Sequence, residues 1–599
     1  MLALQLPSNF FDKPPNAASA SLSGREHAVE GFFDEAPAVG AKRPRDPDEE
    51  EEPTQETEEM EEAGENEELD IDKIVNEAEA VEVMDLAALK RTMASLERKM
   101  QKNQELRIKH SGDPQKFMES EVELFEEVNK LQVLATAPEL YGELVRLNGV
   151  GKFSELLDHE NNDIVLAVIE LVNELTDPDA LMEADDEAET SAKALVDALM
   201  ENAFLELLVK QLAKFDETDD DQKQGVYKVL SIVENLSEVL PSVLEPLCER
   251  TELISWLLTR LQAKIFDENK LYSSEVLSIL VQDSEANQLK VGQNEGMDKL
   301  LALTSAWRKK DPQDTEQAEL VHNIFNTMCS ALMQPANQMA LVDGEGIELM
   351  VIMLQARKFA ARPALKVLDY AMNRNTAACD RFVAAMGLKT LFPGLLKPAS
   401  ILAKKSKDAK SSGSAREDEE HVVSIVASLL LRLSGEAHAR TVHKFLENDF
   451  EKLDKLMELH EKYYSLVSQV QDDGLENEEE DEDGADDGKA EDEKVKARED
   501  RRKARKYLLR LDKGLYTLQQ VDTIIAFVLS EDVAAINTRV RMLLNQMDSD
   551  LSQVIEVLAE YRDNAGDGSE QSKVEGDGIN MKEVTNDLVD FLREIAPSF

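Results

Sequence analysis

The segment GVGKFSELLDHENNDIVLAVIELVNEL (149–175) sets the pattern for most of the chain. Gly149 and Gly151 open a turn, and Phe153, Leu156 and Leu157 then place apolar side chains on one helical face. Asn161, Asn162 and Asp163 follow. Short polar side chains accept from the open amides at a helix start, so a second helix is predicted here. Along it, Ile164, Val168, Leu171, Val172 and Leu175 recur at the three- and four-residue steps that share a face. One such pair is ordinary, but the unit recurs. Apolar helices end in LVNELTD (171–177), IVENLSE (232–238), LSILVQD (277–283), MCSALMQ (328–334), VLDYAMN (367–373) and LLLRLSG (429–435). Their fifth positions are Leu175, Leu236, Val281, Leu332, Ala371 and Leu433, spaced by 61, 45, 51, 39 and 62 residues.

The two long intervals hold insertions: acidic stretches near 183–189 and 216–221, and the Lys/Ser-rich 404–414. Without them the period falls near the roughly 40–47 residues of armadillo and HEAT arrays. A helix pair or triplet of this kind cannot bury its face alone, so neighbours stack into a superhelix with an extended concave groove. The predicted fold is therefore all-α, an armadillo/HEAT-type α-solenoid (a right-handed superhelix of helical repeats). The predicted divisions are an acidic tail over 1–72, a helical N-terminal cap over 73–135 and the repeat array over 136–470. An acidic linker over 471–500 and a helical C-terminal cap over 501–599 complete it.

Composition agrees with helices. Only 25 glycines and 18 prolines occur in 599 residues, too few turn residues for an all-β chain. Aspartate and glutamate total 122 against 67 lysines and arginines, a formal charge of −55, which argues against phosphate-mediated nucleic-acid binding. The charge is unevenly spread. Residues 46–70 hold fifteen acids and no base, and 472–493 hold fourteen acids and one lysine. Such tracts cannot offset their ordering entropy by burial, so both are predicted to be disordered. The basic run KVKAREDRRKARK (494–506) follows at once. It has no interleaved aromatic for base stacking, so neutralisation of its acidic neighbour is the expected role. Cys248, Cys329 and Cys379 stand far apart, the thiol usage of a reducing compartment. No signal-peptide pattern and no run of 18 apolar residues predict a soluble, intracellular chain without membrane contact.

At greater length the chain resembles the nuclear β-catenin-like protein 1 family of armadillo-type, spliceosome-associated proteins. The resemblance rests on KNQELRIKHSGDPQKFMESEVEL (102–124), VLATAPELYGELVRLNGV (133–150), FDENKLYSSEVLSILVQD (266–283), ALKVLDYAM (364–372) and GLKTLFPGLLK (387–397). EEHVVSIVASLLLRL (419–433), FLENDFEKLDKLMELHEKY (445–463), YLLRLDKGLYTLQQV (507–521) and EYRDNAGDG (560–568) continue it in family order. The resemblance implies a non-enzymatic nuclear scaffold of the Prp19-type complex. It would bind basic segments of Cdc5-type and other splicing factors to support pre-mRNA splicing, and could self-associate as a homodimer. An importin-α-like cargo adaptor for basic localisation signals is the alternative.

Several residues carry specific expectations. Lys42, Arg43, Pro44 and Arg45 have the make-up of a nuclear-import signal and match a family KRPRD sequence, although the family's second basic cluster is missing here. Leu140, Leu144 and Leu147 align with a leucine-rich segment proposed as an export signal in the family, while their spacing favours simple packing inside the solenoid. Asn173 and Asn235 fall where armadillo third helices place an asparagine toward the groove, where an amide can pair with the backbone of an extended peptide. Importin-like grooves add tryptophans one turn earlier, and here those positions are Ile169 and Ser231. The eight histidines show no HExxH, and GxxxxGK[ST], GxGxxG and GxSxG are absent. No catalytic residue, metal site or cofactor is expected.

Overall fold

The computed structural model describes residues 84–179, 186–293, 295–402, 413–470, 491–564 and 579–598. Among these the secondary structure is helical, and they fall into two compact units, one up to Ala198 and one from Leu199. The basic cluster Lys42–Arg45 and the acidic tract 46–70 lie outside the described residues, as do 471–490.

In the first unit, α1 (Leu86–Lys109) and α2 (Met118–Asn129) form an antiparallel pair. Leu89, Met93 and Leu96 of α1 and Leu124 and Val128 of α2 are buried. Lys99 Nζ meets Glu127 at 2.6 Å, and Asn103 Nδ2 donates to Ser120 Oγ at 2.9 Å. The first full triplet follows as α3 (Tyr141–Arg146), α4 (Gly149–Leu157) and α5 (Asn162–Leu175), with α5 against α2 and α4. Helix α6 (Asp186–Glu201) follows in the chain, and the division between the units falls within it.

The second unit repeats the triplet. It begins with α7 (Phe204–Leu212) and α8 (Asp220–Val239), followed by α9 (Leu244–Arg250), α10 (Leu253–Arg260) and α11 (Glu268–Gln282). Next come α12 (Glu285–Gly292), α13 (Gly296–Ser305) and α14 (Thr315–Ala331), then α15 (Pro335–Asp343), α16 (Gly346–Ala356) and α17 (Ala361–Met372). Helices α18 (Thr376–Ala384), α19 (Gly387–Leu396) and α20 (Gly413–Arg432) form another. The third helices α8, α11, α14, α17 and α20 pack each against the next. This is an armadillo-type solenoid, and every one of the six helix ends aligned in the sequence is the end of a third helix.

Local chemistry explains the repetition. Third helices start on Asn161, Asp219, Asp267 and Asp314, whose side chains accept backbone amides of the first turn at 2.8–3.1 Å. The first-to-second turn uses a left-handed residue followed by glycine. Glu295 (φ 60°) precedes Gly296, where a Cβ would lie 1.9 Å from the Val291 carbonyl oxygen, and Glu345 (φ 58°) precedes Gly346, with Leu341 O at 2.8 Å. First helices also satisfy the open carbonyls of the preceding third helix. Asn287 Nδ2 donates to Leu280 O at 2.7 Å, and Asn337 Nδ2 to Ala331 O at 2.9 Å and Gln288 O at 2.7 Å. Gln338 Nε2 reaches Leu332 O at 3.1 Å and Tyr370 O at 3.0 Å.

The C-terminal region departs from the divisions read in the sequence. The triplet does not stop at 470. Helices α21 (Gly435–His443) and α22 (Glu451–Ser468) are completed by α24 (Leu515–Ser530), which packs against α20 and α22. Then α25 (Ala534–Gln546), α26 (Ser552–Asn564) and α27 (Met581–Ile595) form one more triplet, with α27 on α24. Within the span expected as linker, residues 491–500 are helical, the start of α23 (Glu491–Asp512). The insertion therefore interrupts one repeat between its second and third helices. Leu515, Leu518, Val521, Ile524, Ile525, Val528 and Leu529 of α24 are all fully buried, and each side chain so removed from water contributes about 1.5–3 kcal/mol. That burial makes α24 an integral third helix.

Candidate functional site

Four third helices of the second unit, α8, α11, α14 and α17, leave polar positions exposed or half-buried along one face. On α8 the stripe is Tyr227, Ser231 and Glu234; on α11 it is Glu275, Ser278 and Gln282; on α14 it is Glu319, His322, Asn323 and Asn326. On α17 it is Arg362 and Lys366. These residues follow three- and four-residue steps, so each set lies on one helical face.

Neighbouring stripes touch. The Tyr227 and Tyr272 rings lie 4.7 Å apart, and the Tyr272 hydroxyl donates to Glu234. Asn323 Nδ2 donates to Ser274 Oγ at 3.2 Å, tying α14 to α11. Glu275 is half-buried, and no hydrogen bond or ion pair to it is found among the described residues. Burial, reinforced by the carboxylates of Glu234 and Glu319, pushes its carboxyl up to about 7. Glu319 is raised too, by burial and by Glu316, and it is likewise unpartnered among the described residues. Carboxylates on three successive third helices thus act on Glu275, and among the described residues no cation pairs with Glu275 or Glu319.

One helix further the sign reverses. Arg362 is gripped by Asp418 through two hydrogen bonds of 2.8 and 2.9 Å, whereas half-buried Lys366 has no such partner among the described residues. His322 keeps solvent access although the surrounding helices crowd its ring, which meets Phe359 edge-on at 5.0 Å. Burial, then Lys366 and Arg362, hold its imidazole below the ordinary value.

The first unit carries a separate cleft of about 1130 Å³ lined from α1, α2 and α4. One of its cations, Arg107, is committed to Glu121 and Glu160 and stacks 4.8 Å over Phe117, and His159 Nε2 lies 3.1 Å from Asn103 Oδ1. Its other lining cation, Lys152, lies 3.7 Å from Glu97, so both cations of the cleft are already paired.

The residues singled out in the sequence are placed as follows. Leu144 is fully buried on α3, its side chain against Gly149, while Leu140 and Leu147 are half-buried on either side. Asn173 on α5 and Asn235 on α8 are both half-buried and belong to different units. They are not equivalent. Asn173 lies two residues before Leu175 and Asn235 one before Leu236, so the counterpart of Asn173 on α8 is Glu234. Trp256 lies on the second helix α10, donating to Leu212 O at 3.2 Å, and Trp307 follows α13, so neither stands on a third helix. Buried Cys248 and Cys329 are each pushed up to about 12 by burial, which leaves them protonated. Among the described residues no group of His, Cys, Asp or Glu could hold a metal ion, and no helix is long and apolar enough to cross a membrane.

The unpartnered charges Glu275, Glu319 and Lys366 were not distinguished in the sequence. The available signal was polar residues interrupting apolar helices at helical steps, as in Tyr227, Ser231 and Glu234.

A family described as catenin-beta-like, Arm-motif containing, nuclear, matches residues 68–559. Beta-catenin-like protein 1 of Bos taurus and that of Homo sapiens are each 40% identical over 492 residues, covering 81% of this chain and 83% of theirs. The homologue of Schizosaccharomyces pombe is 31% identical over 491 residues, covering 81% of this chain and 80% of its own.

Proposed function

Because the chain belongs to this Arm-motif-containing, catenin-beta-like nuclear family, we propose that it is a non-enzymatic nuclear scaffold that binds basic segments of partner proteins. The single observation that carries the binding mode is the set Glu234, Glu275 and Glu319, in which two half-buried carboxylates have no cation partner among the described residues. A lysine or arginine seated there supplies the missing counter-charge and draws Glu275 into its ionised form. The exposed Tyr227 ring, packed on buried Tyr272 at the edge of the set, offers an apolar surface for the stem of such a side chain and a π-face for its cation.

The wider role proposed is in a Prp19-type spliceosome-associated assembly, with Cdc5-type splicing factors as the partners that supply basic segments. Support comes from the family's nuclear description and the acidic third-helix face. An importin-like adaptor would rely on stacked tryptophans, and neither tryptophan lies on a third helix. Lys42–Arg45 is proposed as the chain's own import signal, and self-association through a homodimer is part of the same reading. The test is affinity purification from nuclear extract with wild-type chain and with a Glu234→Gln/Glu275→Gln/Glu319→Gln variant. Recovery of Prp19-complex subunits by the wild type and their loss with the variant is the expected result. Equal recovery by both would remove the acidic face as the receptor, and recovery of none would remove the splicing role.

A further inference from the structure

The polar stripes of the third helices change sign within a short distance. Half-buried Glu275 on α11 and Glu319 on α14 have no partner among the described residues, and half-buried Lys366 on α17 has none either. The opposite charges of Glu319 and Lys366 lie on adjacent helices but do not pair with each other. Arg362, one turn before Lys366, is already committed to Asp418 by two hydrogen bonds. An all-basic segment would satisfy the glutamates and then place a positive charge against Lys366. A segment that switches sign satisfies both ends.

Spacing follows from helix packing. Adjacent helix axes lie about 8–10 Å apart, so two steps from α11 to α17 cover roughly 16–20 Å. An extended chain advances about 3.3 Å per residue, so five or six residues span that distance. We propose that this face recognises charge order. Its partner is an extended peptide segment with one lysine or arginine seated at Glu275, a second at Glu319, and an aspartate or glutamate seated at Lys366 five or six residues from the first. One uncommitted ammonium matches the single charge of a carboxylate, whereas a phosphoryl dianion calls for a cluster of cations. The inference rests on the reading that this face takes basic segments and adds the element that sets register and selects among them.

The test measures binding of synthetic peptides to the full chain by fluorescence anisotropy at physiological salt. One peptide is all-basic. A second carries a glutamate six residues from one lysine and about three from another between them, in both chain directions, and matched versions replace that glutamate with glutamine or phosphoserine. In one direction the glutamate peptide should bind about fivefold more tightly than its glutamine version, the scale of one half-exposed ion pair. Lys366→Ala and the stem-preserving Lys366→Gln should both reduce that ratio to one without weakening the all-basic peptide. Lys366→Glu should invert it, so that lysine at the glutamate position becomes preferred. A ratio unchanged by Lys366→Ala overturns the proposal, and so does a Lys366-dependent preference for phosphoserine over glutamate. Failure of the all-basic peptide to bind, with no effect of Glu275→Gln, would instead overturn the basic-segment reading beneath it. Unchanged melting temperatures of the Lys366 variants keep the comparison free of folding effects.

Discussion

Replacing Glu275 with glutamine should make the protein more stable and a poorer receptor. In the folded chain its carboxyl is raised from 4.5 to about 7 by burial and by Glu234 and Glu319. The folded state therefore holds an extra proton between these two values. Stability contributed by this group falls as pH rises through that window and stays low above it. At 1.36 kcal/mol per unit the shift corresponds to about 3 kcal/mol, and solvent reaching the half-buried side chain reduces this to about 1–2 kcal/mol. Glutamine keeps the shape and removes the charge. At pH 8 the variant should therefore melt about 1–2 °C above the wild type, whereas at pH 4.5, where the carboxyl is already protonated in the folded chain, the two curves should nearly coincide. Thermal unfolding followed by circular dichroism across pH 4.5–8 measures this directly. A pH-independent difference, or a variant less stable at pH 8, would refute the argument that an uncompensated carboxylate is stored there. Tighter binding of an all-basic peptide by the same variant would refute its link to function.

Other consequences are equally specific. His460 on α22 and Asp522 on α24 are buried and 2.6 Å apart; burial opposes the charged imidazole, but the Asp522 carboxylate overrides it and holds His460 above its ordinary value. His460→Ala should cost about 3–5 kcal/mol by leaving a buried carboxylate unpaired, while His460→Leu with Asp522→Leu should recover most of it in urea denaturation. Asn337→Leu removes the donors to Gln288 O and Ala331 O and should cost about 1–3 kcal/mol in the same assay. A site-specific protease sequence inserted at 480 should yield two fragments that co-elute on gel filtration, because α24 is buried against α20 and α22; separation would contradict the interrupted repeat. Basic-peptide binding should weaken as salt rises, chiefly through slower association, since the attraction is screened over roughly 8 Å at physiological ionic strength; deletion of residues 1–72 should leave it intact, and loss of binding would make the acidic tail the receptor.

What the sequence determined by itself is the repeat. Third helices carry the most continuous apolar pattern, because neighbours cover them on both sides, so their ends could be aligned from Leu175 to Leu433 without coordinates. The cap at Asn161 and the glycine turn that opens at Gly149 are local backbone chemistry and were equally readable. The repeat completed by α24 was not, because the insertion between α22 and α24 breaks the period that alignment depends on, and only packing shows which helices belong together. The charged face lay further out of reach. Glu275 and Lys366 look like any of the many charges on this acidic chain. Whether a charge is half-buried, and whether a partner stands beside it, is decided by side chains from other helices many residues away. Sequence fixes the period of a solenoid because each repeat must bury the same face, but only tertiary packing decides which charges that stacking leaves without a counter-ion.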